Sequence, residues 1–118
     1  ISFICADIFS WTSNDQFDII VSNPPYIDES EKVSMEKNVL DYEPHSALFV
    51  PDDNPLRFYK RIATLAQHIL TKGGRLYFEI NPRHASELSK LLKAQGYVDV
   101  EIIKDSFGKD RFIRATHS

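Results

Sequence analysis

The sequence predicts an α/β fold built on a mostly parallel sheet. Segments of strand character alternate with segments at helical spacing, the pattern of parallel strands joined by crossover helices. One strand carries three contiguous apolar residues, Ile19, Ile20 and Val21, as a strand covered on both sheet faces does. With 118 residues, 42% of them hydrophobic, the chain can fill one core and has the size of a single domain.

Ile1 to Cys5 reads as a short buried strand ending at Asp7, with Cys5 a small core hydrophobe. Ser13, Asn14 and Asp15 form a polar turn, and Phe17 to Ser22 is the second strand. Residues 28–53 are irregular, with Met35, Val39 and Leu40 as scattered anchors and room for one short helix. A loop of that length inside a compact domain is usually functional or disordered. Asn54-Pro55 supplies a capping amide and a first-turn proline, and Phe58, Ile62, Leu65 and Ile69 follow at helical spacing to a stop at Gly73-Gly74. Leu76, Phe78 and Ile80 alternate with Tyr77 and Glu79 in a strand. Asn81-Pro82 repeats the capping signal before a helix marked by Ala85, Leu88, Leu91 and Leu92 and closed by Gly96. Val98, Val100 and Ile102 alternate in a further strand, which a polar turn joins to a last one, Arg111 to Ala115, as an antiparallel hairpin.

Charge and composition narrow the function. The net charge of −3 lacks the basic excess of a general nucleic-acid binder, so Arg57/Lys60/Arg61 and Lys109/Arg111/Arg114 read as solvated faces. One cysteine makes no internal disulfide, which fits a reducing cytoplasm. His45, His68, His84 and His117 have no metal-ligand spacing, so no metal site is expected. No apolar run approaches the roughly 20 residues of a membrane helix. The chain opens on Ile1 in an apolar segment, as a piece of a longer protein would.

Residues 20–27, Ile-Val-Ser-Asn-Pro-Pro-Tyr-Ile, carry the chemistry. Ligands of open α/β sheets sit at the carboxyl ends of the strands, and Asn23 lies just past such an end. Proline fixes its own φ, has no N–H and restricts the residue before it. Asn23-Pro24-Pro25 is therefore a rigid segment that offers oxygen acceptors and few donors. A planar –NH2 group is its complement, with Tyr26 stacked on the flat face. Accepting both N–H bonds orients an amide nitrogen and raises its electron density toward an electrophilic methyl carbon. The plainer reading, a stiff turn with a packed tyrosine, suits a bare Asn-Pro pair better than this strand-bound, aromatic-flanked one.

Val21-Ser22-Asn23-Pro24-Pro25-Tyr26-Ile27 resembles the signature of amino-group methyltransferases that use S-adenosylmethionine, a signature shared with enzymes acting on DNA adenine or ribosomal RNA guanine. Tyr42-Glu43-Pro44, Ala47-Leu48, the strand ending Phe78-Glu79-Ile80, Gly96-Tyr97 and Asp110-Arg111 narrow the resemblance to the HemK/PrmC family over nearly the whole chain. It implies the carboxyl-terminal portion of a Rossmann-like class I methyltransferase domain. It also implies S-adenosylmethionine as cofactor, and peptide chain release factors as protein substrates, methylated on the glutamine amide of their Gly-Gly-Gln motif. Asn23, Pro24, Pro25 and Tyr26 would then be catalytic and substrate-binding, with Glu43 beside the substrate entrance. Asp7, Ile8 and Asn23 would face the cofactor, Asp7 matching the acidic position at its adenine end. Capping or ion-pair duty competes for Asp7, Glu43 and Glu79.

The sequence departs from the family at Phe49 to Pro55 and at Asn81 to His84, where the common form carries glycines and a glutamine. Its four glycines, at 73, 74, 96 and 108, form no cofactor loop, so residues 1–118 are expected to be a partial domain lacking that loop and the first two strands. In isolation the chain would be nearly inactive, and the strand before Asn23 would present an open edge that favours self-association. The competing functions are a nucleic-acid amino-group methyltransferase, which would stack a flipped base on Tyr26, and a carboxamide-binding module without catalysis.

Overall fold

The computed structural model describes residues 1–25, 27–28, 49–50 and 56–118. In chain order these residues form β1 (Phe17–Ser22), β2 (Ile27–Asp28), β3 (Phe49–Val50), α1 (Arg57–Ile69), β4 (Leu70–Glu79), a 3-10 turn (Pro82–His84), α2 (Ala85–Ala94), β5 (Val98–Lys104) and β6 (Asp110–Thr116). The main sheet has the order β1-β4-β6-β5, and β2 pairs with β3 in a separate two-stranded ribbon. β1 lies parallel to β4, while β6 is antiparallel to both β4 and β5. Three of the four strands thus point the same way, and their carboxyl ends share one edge of the sheet.

The core lies on one face of this sheet. Leu76, Phe78 and Ile80 of β4 and its extension meet Ile113 and Ala115 of β6, each 0–1% exposed. Ile62, Ala63 and Ala66 of α1 and Leu88 and Leu92 of α2 close over them in a single cluster. Both helices show the predicted stripe, and both cover that one face. On the other face, Val21, Tyr77, Arg114 and Glu101 form one cross-strand row by register. Ile19 and Val21 are 59% and 75% exposed there. The contiguous apolar run in β1 is therefore covered on one side only among the described residues, not on both as its composition predicts.

Local chemistry explains most boundaries. Asn81 accepts the Arg83 N–H at 3.0 Å and Pro82 takes the first turn position, so the predicted cap operates through the 3-10 turn that leads into α2. Gly96, at φ +97, ends that unit in the left-handed region, where a side chain would be strained. The Ser13 hydroxyl accepts the Asp15 N–H at 3.0 Å in the predicted polar turn. The predicted Asn54-Pro55 cap, and the segment with Met35, Val39 and Leu40, lie outside the described residues.

Three expectations change. Ile1 to Cys5 forms no strand, and Cys5 is exposed rather than a core residue. A strand needs a hydrogen-bonding neighbour, and no described strand flanks this segment. Gly73-Gly74 does not end α1. The helix stops at Ile69, Leu70 is already extended, and the glycines lie inside β4, where the register against β1 jumps from Phe17↔Leu70 to Ile19↔Arg75. A Cβ on Gly74 would stand 2.8 Å from the Thr71 carbonyl oxygen and 3.1 Å from that of Asp18, so the irregularity needs a residue without one. The alternation in β5 is also broken. Its register against β6 shifts between Val98 and Glu101, with Asp99 at φ +51, leaving Val98 and Ile102 largely exposed while Val100 packs on the core.

Two polar contacts fix the layers. The Tyr97 hydroxyl donates to the Ala63 carbonyl at 2.6 Å, tying the end of the α2 unit to α1, and burial pushes its ionisation well above the ordinary tyrosine range. The turn between β5 and β6 is organised by Asp105, whose carboxylate accepts the N–H groups of Lys109 and Phe107 and the Arg111 Nε–H. Those bonds, led by Lys109, hold its carboxyl below the ordinary range.

Tyr97→Phe is expected to lower unfolding stability by about 0.5–1.5 kcal/mol, the worth of one buried hydrogen bond, read from the urea midpoint. Asp105, with a depressed folded pKa, stabilises the turn fully above the ordinary carboxylate pKa and loses that contribution as pH falls through its folded value. Amide exchange at Phe107 and Lys109, referred to unfolded-chain rates, should lose protection over that acid range. In Asp105→Ala, which has no side-chain acceptor, protection should be low at every pH.

Candidate active site

β1 delivers Asn23 to the carboxyl edge of the sheet. Pairing of Ser22 with Phe78 sets the height of the strand end, since Phe78 is anchored in the core at 1% exposure. Beyond it Asn23 is exposed, Pro24 is buried and Pro25 is half-buried. The prolines are thus packed while the amide that precedes them stays accessible, which is the disposition a rigid acceptor set requires. Tyr26 and Glu43, both expected at this site, lie outside the described residues.

A cleft of about 620 Å³ opens beside this segment, lined by Asp7, Ile8, Phe9, Ser22, Pro24, Pro25, Arg57 and Phe58, among others. It brings Asp7 and Ile8, expected on the cofactor side, against the prolines expected on the acceptor side. Asp7 is exposed, and one of its carboxylate oxygens accepts the Phe9 N–H at 3.0 Å. Its backbone carbonyl accepts the Trp11 N–H at 2.9 Å. Both bonds close the turn that follows Asp7, so the capping role weighed for this residue is present. The second carboxylate oxygen remains an acceptor at the cleft. An apolar neighbouring side chain at Ile8 and a carboxylate acceptor fit the flat face and polar edge of an adenine.

A second cavity, about 350 Å³, lies between β1 and α1 and is lined by Ile8, Trp11, Ile20, Ile62, Leu65 and Ile69, among others. It is mainly apolar, shares Ser22 with the first and lacks Asp7 and Arg57. Glu79, left undecided by the sequence, is half-buried, and its backbone carbonyl accepts the Tyr59 hydroxyl at 2.8 Å.

Sequence reasoning did not place Phe9, Arg57 or Phe58 at this site. The Arg57 guanidinium lies 4.2 Å from the centroid of the Phe9 ring, and the Phe9 and Phe58 rings meet edge to face at 5.0 Å. Nor is Arg61 part of a solvated face, as its cluster was expected to be. Its Nε donates to the Ile8 carbonyl at 2.8 Å and its Nη2 to the Trp11 carbonyl at 2.9 Å. The spacing of Arg57 and Arg61, four residues apart on one helix face, is the signal that could have linked them.

The family model of the Eco57I restriction-modification methylase matches residues 2–94. The chain belongs to this methylase family. The chain is also similar to release factor glutamine methyltransferases. That of Bacteroides thetaiotaomicron is 51% identical over 117 residues, covering 98% of this chain and 42% of the relative. That of Leptospira interrogans is 41% identical over 117 residues, covering 98% of this chain and 40% of the relative. A solved release factor-specific protein-(glutamine-N5) methyltransferase from Alicyclobacillus acidocaldarius superimposes with a TM-score of 0.53 at 28% identity, over 87% of this chain and 50% of that one. These likenesses bear out the HemK/PrmC resemblance and the class I methyltransferase fold, of which this chain forms a part. The chain spans about two-fifths of the length of the curated relatives it matches. No helix among the described residues is long and apolar enough to cross a membrane.

Proposed function

We propose that the protein containing this chain transfers a methyl group from S-adenosylmethionine to the side-chain amide nitrogen of the glutamine in the Gly-Gly-Gln motif of peptide chain release factors, in the cytoplasm. The observation that carries this reading is the Asn23-Pro24-Pro25 segment, with its prolines packed and its amide accessible, set against the cleft that holds Asp7 and Ile8. The relatives' names supply the substrate class, and the protein-acting relatives match over 98% of the chain. That breadth favours a protein amide over a nucleic-acid base.

In this reading the Asn23 side-chain oxygen and the Pro24 carbonyl each accept one N–H of the glutamine carboxamide. Tyr26 and Pro25 shape the slot, and Glu43 stands beside its entrance. Holding both N–H bonds fixes the amide plane and draws electron density onto nitrogen. Bound S-adenosylmethionine supplies an electrophilic methyl carbon whose leaving group is a neutral thioether. Asp7 and Ile8 hold its adenine end, and Asn23 borders both partners. Once its lone pair is spent on the new N–C bond the amide nitrogen is strongly acidic, and it releases one of its two protons to water, so no strong base is required. The segment acts through orientation and electrostatics. The cofactor's remaining contacts belong to parts of the domain that we place outside residues 1–118, which leaves the isolated chain nearly inactive.

Asn23→Ala in the intact methyltransferase is expected to lower kcat on release factor by about 10²–10³, the usual loss when one oriented polar group is removed from a transition state. DNA and ribosomal RNA offered to the wild-type protein should accept no methyl groups, and labelling of either above release factor would reverse the assignment. The isolated chain, with β1 at the sheet edge and Ile19 and Val21 exposed, should self-associate. Light scattering should show a mass above 13.6 kDa that falls in Val21→Lys.

A further inference from the structure

We infer that Arg61, with Arg57 one helical turn before it, is a positioning residue that holds the Asp7–Trp11 turn in its binding-competent place against the Pro24-Pro25 wall of the cleft. The inference rests on the methyl-donor side of the proposed function. The two arginines approach the turn differently. Arg61 spans it, donating from Nε to the Ile8 carbonyl at 2.8 Å and from Nη2 to the Trp11 carbonyl at 2.9 Å. Arg57 lies 4.2 Å over the ring of Phe9, between those two anchors. The turn's other ties to the body of the fold are apolar and non-directional, Ile8 against the core cluster and the Phe9 ring edge to face on Phe58. Its internal bonds run from Phe9, Ser10 and Trp11 back to Asp7, and no described strand includes any of its residues. Internal bonds give the turn its shape but do not fix where it sits.

The arginine fork supplies that placement. Its planar, pre-organised donors can satisfy two carbonyls three residues apart, which a lysine ammonium on a flexible stem cannot do as well. Because α1 is packed into the core through Ile62 and Ala66, the fork refers the turn to the same rigid body that sets the height of Asn23 through β4. The donor side and the acceptor side of the cleft are thus registered to one another through α1. Neither arginine need touch the methyl donor for this role.

Without the fork, the turn would occupy its binding-competent position for only part of the time, and apparent affinity falls by that fraction. The test uses the intact methyltransferase and calorimetric binding of S-adenosylhomocysteine, alongside steady-state kinetics. Arg61→Ala should raise the Kd for S-adenosylhomocysteine and the KM for S-adenosylmethionine by about tenfold. It should leave kcat at saturating donor within about twofold and the KM for release factor unchanged. Arg61→Lys should recover part of the loss. Arg57→Ala, at an exposed position where folding is not at risk, should show a smaller rise of about two- to fourfold in the same direction. Lys60→Ala, whose side chain is exposed between them, should match wild type. Wild-type donor affinity in both Arg61→Ala and Arg57→Ala, with only the melting temperature lowered, would overturn the inference and leave the arginines as staples of the fold. Failure of the wild-type protein itself to bind S-adenosylhomocysteine would instead remove the proposed function on which the inference stands.

Discussion

One-sided burial of β4 is the constraint from which the remainder of the architecture follows. Leu76, Phe78 and Ile80 are almost wholly excluded from solvent, so this strand cannot slide by one residue without turning its apolar set outward. Fully burying a side chain of that kind is worth about 1.5–3 kcal/mol, so a slip that exposes three of them costs several kcal/mol. Every neighbour takes its height from β4. β1 is aligned through Ser22 and Phe78, β6 through Ile113, and α1 through the Tyr59 hydroxyl on the Glu79 carbonyl. The Asn23-Pro24-Pro25 segment is therefore placed by a core strand with which it does not itself pair.

Such placement matters more here than in a site with a strong acid or base. Among the described residues lining the cleft, Asp7 is the one carboxylate, and there is no histidine. A site that works by accepting N–H bonds, as proposed for Asn23 and Pro24, depends on distance and plane, both of which degrade with small movements. Proline at two successive positions, one of them buried, removes the nearest sources of such movement. The HemK/PrmC-like sequence around Asn23 is thus a mechanical specification as much as a chemical one.

Much of this was legible in the sequence because it depends on local rules. The alternation in β4, the Asn81-Pro82 cap, the Gly96 stop and the exposed amide before two prolines are each set by a residue and its near neighbours. What the sequence misjudged depends on distant partners. Ile1 to Cys5 has strand composition but no flanking strand among the described residues, so composition alone misleads. Gly73-Gly74 looks like a helix stop, but Gly74 is required by carbonyls from β1 and β4 meeting at close range, and Gly73 by its positive φ of +80. Arg61 looks like a solvated charge until the carbonyls 50 and 53 residues earlier in the chain are brought beneath it. Periodicity carries no trace of such long-range contacts.

The sequence separation across the β1–β4 pair has a kinetic consequence. Residues 56–118 hold α1, β4, α2, β5 and β6 in near succession, and the β5–β6 hairpin closes a turn of only a few residues. β1 joins by bridging from Ser22 to Phe78, across an intervening stretch of more than fifty residues. Closing a long loop costs entropy before the new contacts repay it, and such pairings form late. The helices and the three strands after residue 56 would then collapse first as a scaffold, with β1 docking onto its edge afterwards. On that order the Asn23-Pro24-Pro25 segment takes its place at the sheet edge only at the last stage of folding, and the cleft beside it is completed no earlier.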